Sequence, residues 1–151
     1  MSDSCDQICF REARVEEILG LRWTILRAGL PREAASFEGD DEPTTHHFAA
    51  VKNNQIIACA TFLRRPFDGE PGWQLRGMAV RANLQGTGVG KQLLEFAESF
   101  VVSRGESKLL WCNARVPASA FYVRQGWTIV GDPFEIPTAG PHVKMLKKTG
   151  G

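Results

Sequence analysis

The 151-residue sequence predicts one α/β (α+β) domain, residues 1–151, in which helices flank a mixed sheet. Three observations carry this. The length, with 43% hydrophobic and 23% charged residues, is that of an ordinary globular domain. Helical spacing and β-rich runs alternate in the order ααβββαβαββ. A glycine-rich turn stands between one of the strands and the most clearly amphipathic helix.

The first helix is predicted over 12–27, where Val15, Ile18, Leu19, Ile25 and Leu26 recur at helical spacing. Gly29-Leu30-Pro31 ends it, and a short second helix precedes the acidic loop Gly39-Asp40-Asp41-Glu42-Pro43. Residues 48–52 and 55–63 are β-rich. Asn53-Asn54 between them suits a tight hairpin, because Asn tolerates positive φ. Residues 65–72 have the Pro, Gly and Asp content of an exposed loop, and 73–80 form a third strand. In the next helix Val89, Leu93, Phe96, Ala97, Phe100 and Val101 share one face, while Lys91, Gln92, Glu95 and Glu98 share the other. A short buried strand follows at 108–112. Pro117 then opens a helix that continues through Ala118, Phe121 and Tyr122 until Gly126 stops it. Strands at 127–135 and 142–146 close the chain, joined by Pro137-Thr138-Ala139-Gly140-Pro141. Trp23, Trp73, Trp111 and Trp127 read as core anchors.

Composition narrows the function. Eighteen Lys and Arg against 17 Asp and Glu leave a net charge of +1, which argues against nucleic acid or an acidic membrane as the main partner. No apolar run reaches the roughly 18 to 20 residues that cross a bilayer. The start, Met1-Ser2-Asp3-Ser4-Cys5-Asp6, has neither the basic end nor the apolar stretch of a secretory signal, so a cytoplasmic protein is expected. Cys5, Cys9, Cys59 and Cys112 fit neither a paired zinc pattern nor a disulfide framework. Cys59 and Cys112 lie in apolar runs and read as small reduced core residues, a reactive Cys112 being the alternative. Neighbouring His46 and His47 point to opposite faces of a strand, and no Cys or carboxylate spacing accompanies them or His142, so no metal is expected.

Gln85-Gly86-Thr87-Gly88-Val89-Gly90-Lys91 is the most informative stretch. Glycines at every second position bare one face of the turn. Its N–H groups can converge on an anion, and the helix start adds roughly half a positive charge. A P-loop requires G-x-x-x-x-G-K-[ST], but Gln85 replaces the first Gly and Gln92 the final Ser or Thr. The dinucleotide fingerprint G-x-G-x-x-G fails at Lys91. What remains is Q/R-x-x-G-x-G/A, met by Gln85, Gly88 and Gly90 directly after a strand.

With Met78-Ala79-Val80 four residues upstream, this stretch resembles the pyrophosphate loop of the GNAT superfamily of acyl-CoA-dependent N-acyltransferases. Asn113-Ala114-Arg115, Ala118, Ala120-Phe121-Tyr122 and Gly126-Trp127 resemble that family's later strand and helix. Gly140-Pro141-His142-Val143-Lys144-Met145 is similar to the ending of small ElaA-like bacterial members. The resemblance covers roughly residues 45–148. It implies a mostly antiparallel sheet splayed at its centre, between the Met78 strand and the Leu110 strand. It implies acetyl-CoA as co-substrate. Gln85, Gly86, Thr87, Gly88, Val89 and Gly90 would hold the pyrophosphate, Met78, Ala79 and Val80 would pair with the pantetheine arm, and Lys91 is a candidate phosphate partner. Asn113 would be the family's strand-end Asn, near the thiol or a water, and Tyr122 its general acid.

The chemistry of these residues agrees with those roles. An amine attacking a thioester builds an oxyanion that strand amides can stabilise, and the leaving thiolate needs a proton. Tyr122 is the single tyrosine of the chain. The expected activity is direct acetyl transfer, in a ternary complex, to a primary amine of a small molecule or peptide. The alternative is a non-catalytic acyl-CoA sensor. Histidine is the residue type suited to act as base at neutral pH, and His142, after the Gly-Pro turn, is a candidate, a structural role being the alternative. Arg64, Arg65 and Arg76 suit a carboxylate-bearing acceptor, whereas Asp40, Asp41 and Glu42 suit a polyamine. A homodimer is compatible with all of this.

Overall fold

The computed structural model describes residues 7–149 apart from Glu106 and Thr138, so Cys5 and the Thr138 position of the last predicted turn lie outside the described residues. Ten elements are seen: β1 (Cys9–Ala13), α1 (Val15–Leu26), β2 (His46–Lys52), β3 (Gln55–Arg64), β4 (Trp73–Val80), α2 (Val89–Arg104), β5 (Leu109–Arg115), α3 (Ser119–Arg124), β6 (Thr128–Ile136) and β7 (Gly140–Lys148). They form one seven-stranded sheet in the order β1-β2-β3-β4-β5-β7-β6. The β4–β5 pair is parallel, bridged by α2, and every other pair is antiparallel. The mixed, mostly antiparallel sheet is thus present.

The helices cover opposite faces. Alternate residues of β2 and β3, Phe48, Ala50, Ala58, Ala60 and Phe62, pack with Leu93, Leu94, Ala97 and Val101 of α2. Ala49 and Cys59 turn the other way and pack with Ile18 of α1. The hairpin between β2 and β3 turns at Asn53 and Asn54, both at positive φ, as the Asn pair predicts.

Several boundaries differ from the sequence reading. β1 was missed altogether. It is a half-exposed edge strand paired with β2, and its Cys9-Phe10-Arg11-Glu12-Ala13 shows no alternation. The helix predicted from residue 12 therefore starts at Val15, where the Glu17 carboxylate accepts the Arg14 N–H at 2.8 Å. The second predicted helix is only a 3-10 turn, Arg32–Ala35. β5 runs past Cys112 to Arg115, so Asn113 is mid-strand, opposite Lys144, and not at a strand end. Trp73 and Trp127 are core residues, but Trp23 is half-buried, its indole donating to the Leu30 carbonyl at 2.8 Å beneath Arg32.

Candidate active site

The sheet is parted where the parallel strands meet. β4 and β5 pair only at Trp73↔Leu110, Gln74↔Trp111 and Leu75↔Cys112. Beyond Leu75 the facing edge of β4 has no strand partner, although β5 stays paired with β7 to Arg115. A bulge reinforces this. Between the pairs Cys59↔Ala79 and Thr61↔Arg76, two residues of β4, Gly77 and Met78, face Ala60 alone. Gly77 holds φ +64°, and a Cβ there would sit 2.8 Å from Arg22 Nε and 3.0 Å from the Phe37 ring. Glycine is required by both conformation and space.

Two clefts open along the parting. One, of about 550 Å³, is lined by Arg27, Glu38, Gln74, Arg76, Asn113, Arg115 and His142 among others. The other, of about 490 Å³, is lined by Met78, Ala79, Val80, Gln85, Gly86, Gly88, Gly90 and Lys91 on one side and by Phe121, Arg124 and Gln125 on the other. Met78, Ala118 and Tyr122 line both.

The second cleft is built largely of backbone. Gly88 caps α2 at φ +93°, and Gln92 N–H makes the first-turn bond to its carbonyl at 3.1 Å. The amides of Val89, Gly90 and Lys91 precede that bond and have no partner within the helix; no side chain caps them. Nothing lies within 4 Å of where a Cβ would stand at Gly86 or Gly88. At Gly90 a Cβ would meet Val80 Cγ2 at 3.2 Å, so this glycine lets α2 approach β4. Gln85 lines the cleft and its Nε2 donates to the Val80 carbonyl at 3.0 Å, tying loop to strand. Thr87 and Val89 are not among the lining residues. The Thr87 hydroxyl turns back to the Leu84 carbonyl at 2.6 Å, and the Val89 side chain is core.

Tyr122 sits where the clefts join. Its ring packs on Phe121 at 5.1 Å and Trp127 at 5.6 Å between centroids. The Trp127 indole donates to Glu98 Oε2 at 3.0 Å, and Lys147 Nζ donates to Glu98 Oε1 at 2.8 Å. Burial raises the phenol pKa far above its usual value, so the hydroxyl carries its proton throughout the physiological range. It makes no hydrogen bond among the described residues.

The first cleft is built of side chains. Asn113 lines this cleft and not the glycine-loop cleft, and its Oδ1 accepts from Lys144 Nζ at 3.2 Å. His142 is 5% exposed, and its Nδ1 lies 2.8 Å from the Gly140 carbonyl oxygen. A carbonyl only accepts, so Nδ1 is the donor and Nε2 of the neutral ring keeps its lone pair. Cys112 also lines this cleft, but burial pushes its thiol up to about 12, and the buried Cys59 likewise, which suits unreactive core residues.

Most charged candidates named from the sequence prove to be engaged. Asp40 forms a two-pronged ion pair with the fully buried Arg22 at 2.7 and 3.0 Å. Burial alone would raise the Asp40 pKa, but hydrogen bonds from Arg22 and the Phe37 amide hold it below its ordinary value. Arg65 pairs with Glu42 at 2.7 Å, Arg64 lies over Trp73, and Arg76 donates to the Glu38 carbonyl at 2.9 Å. His46 meets Glu12 at 2.7 Å, whereas His47 turns to the opposite face, meeting Thr61 at 2.8 Å and the Asp40 carbonyl at 3.0 Å. Among the described residues, no group of three His, Cys, Asp or Glu is placed to hold a metal. No described helix is long and apolar enough to cross a membrane.

Sequence reasoning missed Arg27, Gln74 and Arg115. Their signals were weak: a polar residue inside an apolar strand, and arginines at the ends of α1 and β5. Extending the predicted strand to Arg115 would have put Arg115 two residues from Asn113, on the same face.

A parted sheet with a glycine-bared helix start beside the gap is the architecture of an acyl-CoA-dependent acyltransferase. The chain belongs to the acetyltransferase (GNAT) family, whose model matches residues 13–127. It is 30% identical over 136 residues to the uncharacterized N-acetyltransferase YitI of Bacillus subtilis (strain 168), a match covering 88% of this chain and 91% of that one. The fold is also that of Escherichia coli ElaA, with a TM-score of 0.80 at 20% identity over 94% of this chain and 100% of that one. An aminoglycoside 6'-N-acetyltransferase solved with coenzyme A superposes with a TM-score of 0.74 at 17% identity, covering 93% and 96% of the two chains. The protein is accordingly an acyl-CoA N-acyltransferase.

Proposed function

We propose that the protein moves an acetyl group from acetyl-CoA directly to a primary amine, with the donor in the glycine-loop cleft and the acceptor in the side-chain cleft. The observation that carries this is the junction, where Met78, Ala118 and Tyr122 belong to both clefts. Two reactants entering from opposite ends would meet there without a covalent enzyme intermediate, which favours a ternary complex.

The amides of Gly86 and of Gly88 to Lys91 hold the diphosphate, the Thr87 amide being already bonded to the Leu84 carbonyl, and Lys91, exposed at the rim, adds its charge. The unpaired edge of β4 from Met78 to Val80 offers backbone partners to the extended pantetheine arm, as a sheet edge does to an added strand. Amides around the Gly77–Met78 bulge face the developing oxyanion. Tyr122 gives its proton to the departing thiolate; its protonated state follows from its burial. His142 Nε2 serves as the acceptor for the ammonium proton, directly or through a water, and Asn113 lines the same cleft.

The test is release of free thiol from acetyl-CoA with a panel of amines. Wild-type protein turns over at least one amine, and Tyr122→Phe binds acetyl-CoA with unchanged affinity but loses turnover. Coenzyme binding with no turnover on any amine would instead indicate an acyl-CoA sensor.

A further inference from the structure

The side-chain cleft carries an unbalanced charge. Arg27, Arg76 and Arg115 line it, and Glu38 is the one carboxylate among the lining residues. Glu38 is already shared: its carboxylate lies 3.3 Å from Arg65 and 3.9 Å from Arg76. Arg27 and Arg115 have no carboxylate partner among the described residues. Both donate to the same carbonyl, that of Leu26, at 3.1 Å each, which sets the two guanidinium groups side by side. Like charges brought together in a half-buried wall repel, and burial together with Arg115 and Arg22 lowers the Arg27 pKa. An anion between them would relieve that cost and take two forked sets of donors.

A second observation concerns the same wall. Gln74 is 4% exposed and lines the cleft, yet its carboxamide makes no hydrogen bond among the described residues, and Oε1 is sealed from solvent without a partner. A buried amide left unpaired is costly unless something completes it. A half-turn of the carboxamide exchanges its donor and acceptor ends, so it can meet an N–H or a carbonyl of a ligand.

We propose that the acceptor is an amine that also carries a carboxylate, an amino acid or a short peptide, with the carboxylate clamped by Arg27 and Arg115 and a polar group of the chain completing Gln74. This rests on the acetyl-transfer reading of the two clefts. The polyamine alternative loses its support, because none of Asp40, Asp41 and Glu42 lines the cleft, and Asp40 and Glu42 are consumed by Arg22 and Arg65.

The experiment compares free amino acids with their own carboxamides, which keep the amine and lose the charge. Acetylation should favour the acids by 10-fold or more in kcat/KM. Arg115→Gln should raise the acceptor KM at least 10-fold, leaving kcat and the KM for acetyl-CoA within about twofold, and should erase the preference of acid over amide. A merely structural role for Arg115 at the end of α1 would lower Tm but leave that preference intact, overturning the proposal. Equal rates for acids and amides, or faster turnover of spermidine, would overturn it too and leave acetyl transfer standing. In parallel, N-acetyl amino acids and their amides are titrated into the protein loaded with coenzyme A. Tight binding of acids alone, without turnover of any amine, would uphold the anion site and defeat the catalytic reading. Equal binding of acids and amides would remove the site whatever the turnover.

Discussion

The two clefts share a wall but are made of different material. The glycine-loop cleft uses main chain: amides of one contiguous turn and the unpaired edge of one strand. The opposite cleft uses side chains gathered from α1, β4, β5 and β7, residues as far apart in sequence as Arg27 and His142. A site made of backbone tolerates most substitutions except those that change where the backbone can go. A site made of side chains changes its ligand with one substitution. In the proposed reading the donor is held by the part of the molecule that is hardest to alter, and the acceptor by the part that is easiest.

The sharpest way to break this contrast is Gly88→Val. At φ +93° a β-branched residue is strained, and the first turn of α2 must move. Coenzyme A binding by calorimetry should fall at least 100-fold while the far-ultraviolet circular dichroism stays native. Unchanged affinity would take the loop out of the mechanism.

Tyr122→Phe comes next. Loss of a positioned acid should lower kcat by about 10²- to 10³-fold with acetyl-CoA affinity held, since ring packing on Phe121 and Trp127 is kept. A drop in affinity alone would make Tyr122 a packing residue.

The acceptor side should be the more sensitive to its own scaffold. Asp40→Asn leaves Arg22 buried and uncompensated, and should cost about 3 kcal/mol in urea unfolding. Acid acts on the same cluster. Burial lowers the His47 pKa below the ordinary value of an imidazole, so folding favours the neutral ring. Stability from this group is complete above the unfolded pKa and is lost as pH falls through the native one; Asp40, also lowered, adds a second loss at more acidic pH. Urea midpoints should therefore fall between pH 7.5 and 5, and His47→Gln should flatten that slope.

The smallest effect belongs to Thr87→Val. Its hydroxyl satisfies the Leu84 carbonyl and its side chain does not line the cleft, so coenzyme affinity should change less than about threefold with stability lower by about 1 kcal/mol. A large loss of affinity would bring the hydroxyl itself into the donor site.

The same contrast explains what was legible. The glycine loop and α2 could be read because local residues alone decide them: alternate glycines, then apolar residues at helical spacing. β1 could not, because an edge strand that is half exposed has neither alternation nor a continuous apolar run. Arg22 was invisible for the opposite reason. A charged residue inside a helix reads as solvent-facing until the partner, 18 positions away in an acidic loop, is known to fold beneath it. Asn113 was found by likeness, but its neighbour Lys144 comes from a strand 31 residues later, so only the assembled sheet shows which cleft it faces.

Three residue pairs are all that join β4 to β5 directly. Mechanically, the sheet is two plates, β1 to β4 and β5 to β7, stitched along a short seam. A molecule lying in the slot and bonded to both margins would act as a rivet. Amide exchange at Met78–Val80 and at Phe121–Gln125, the two walls of the glycine-loop cleft, should slow together on loading with coenzyme A, while exchange in the β2–β3 hairpin keeps its pace.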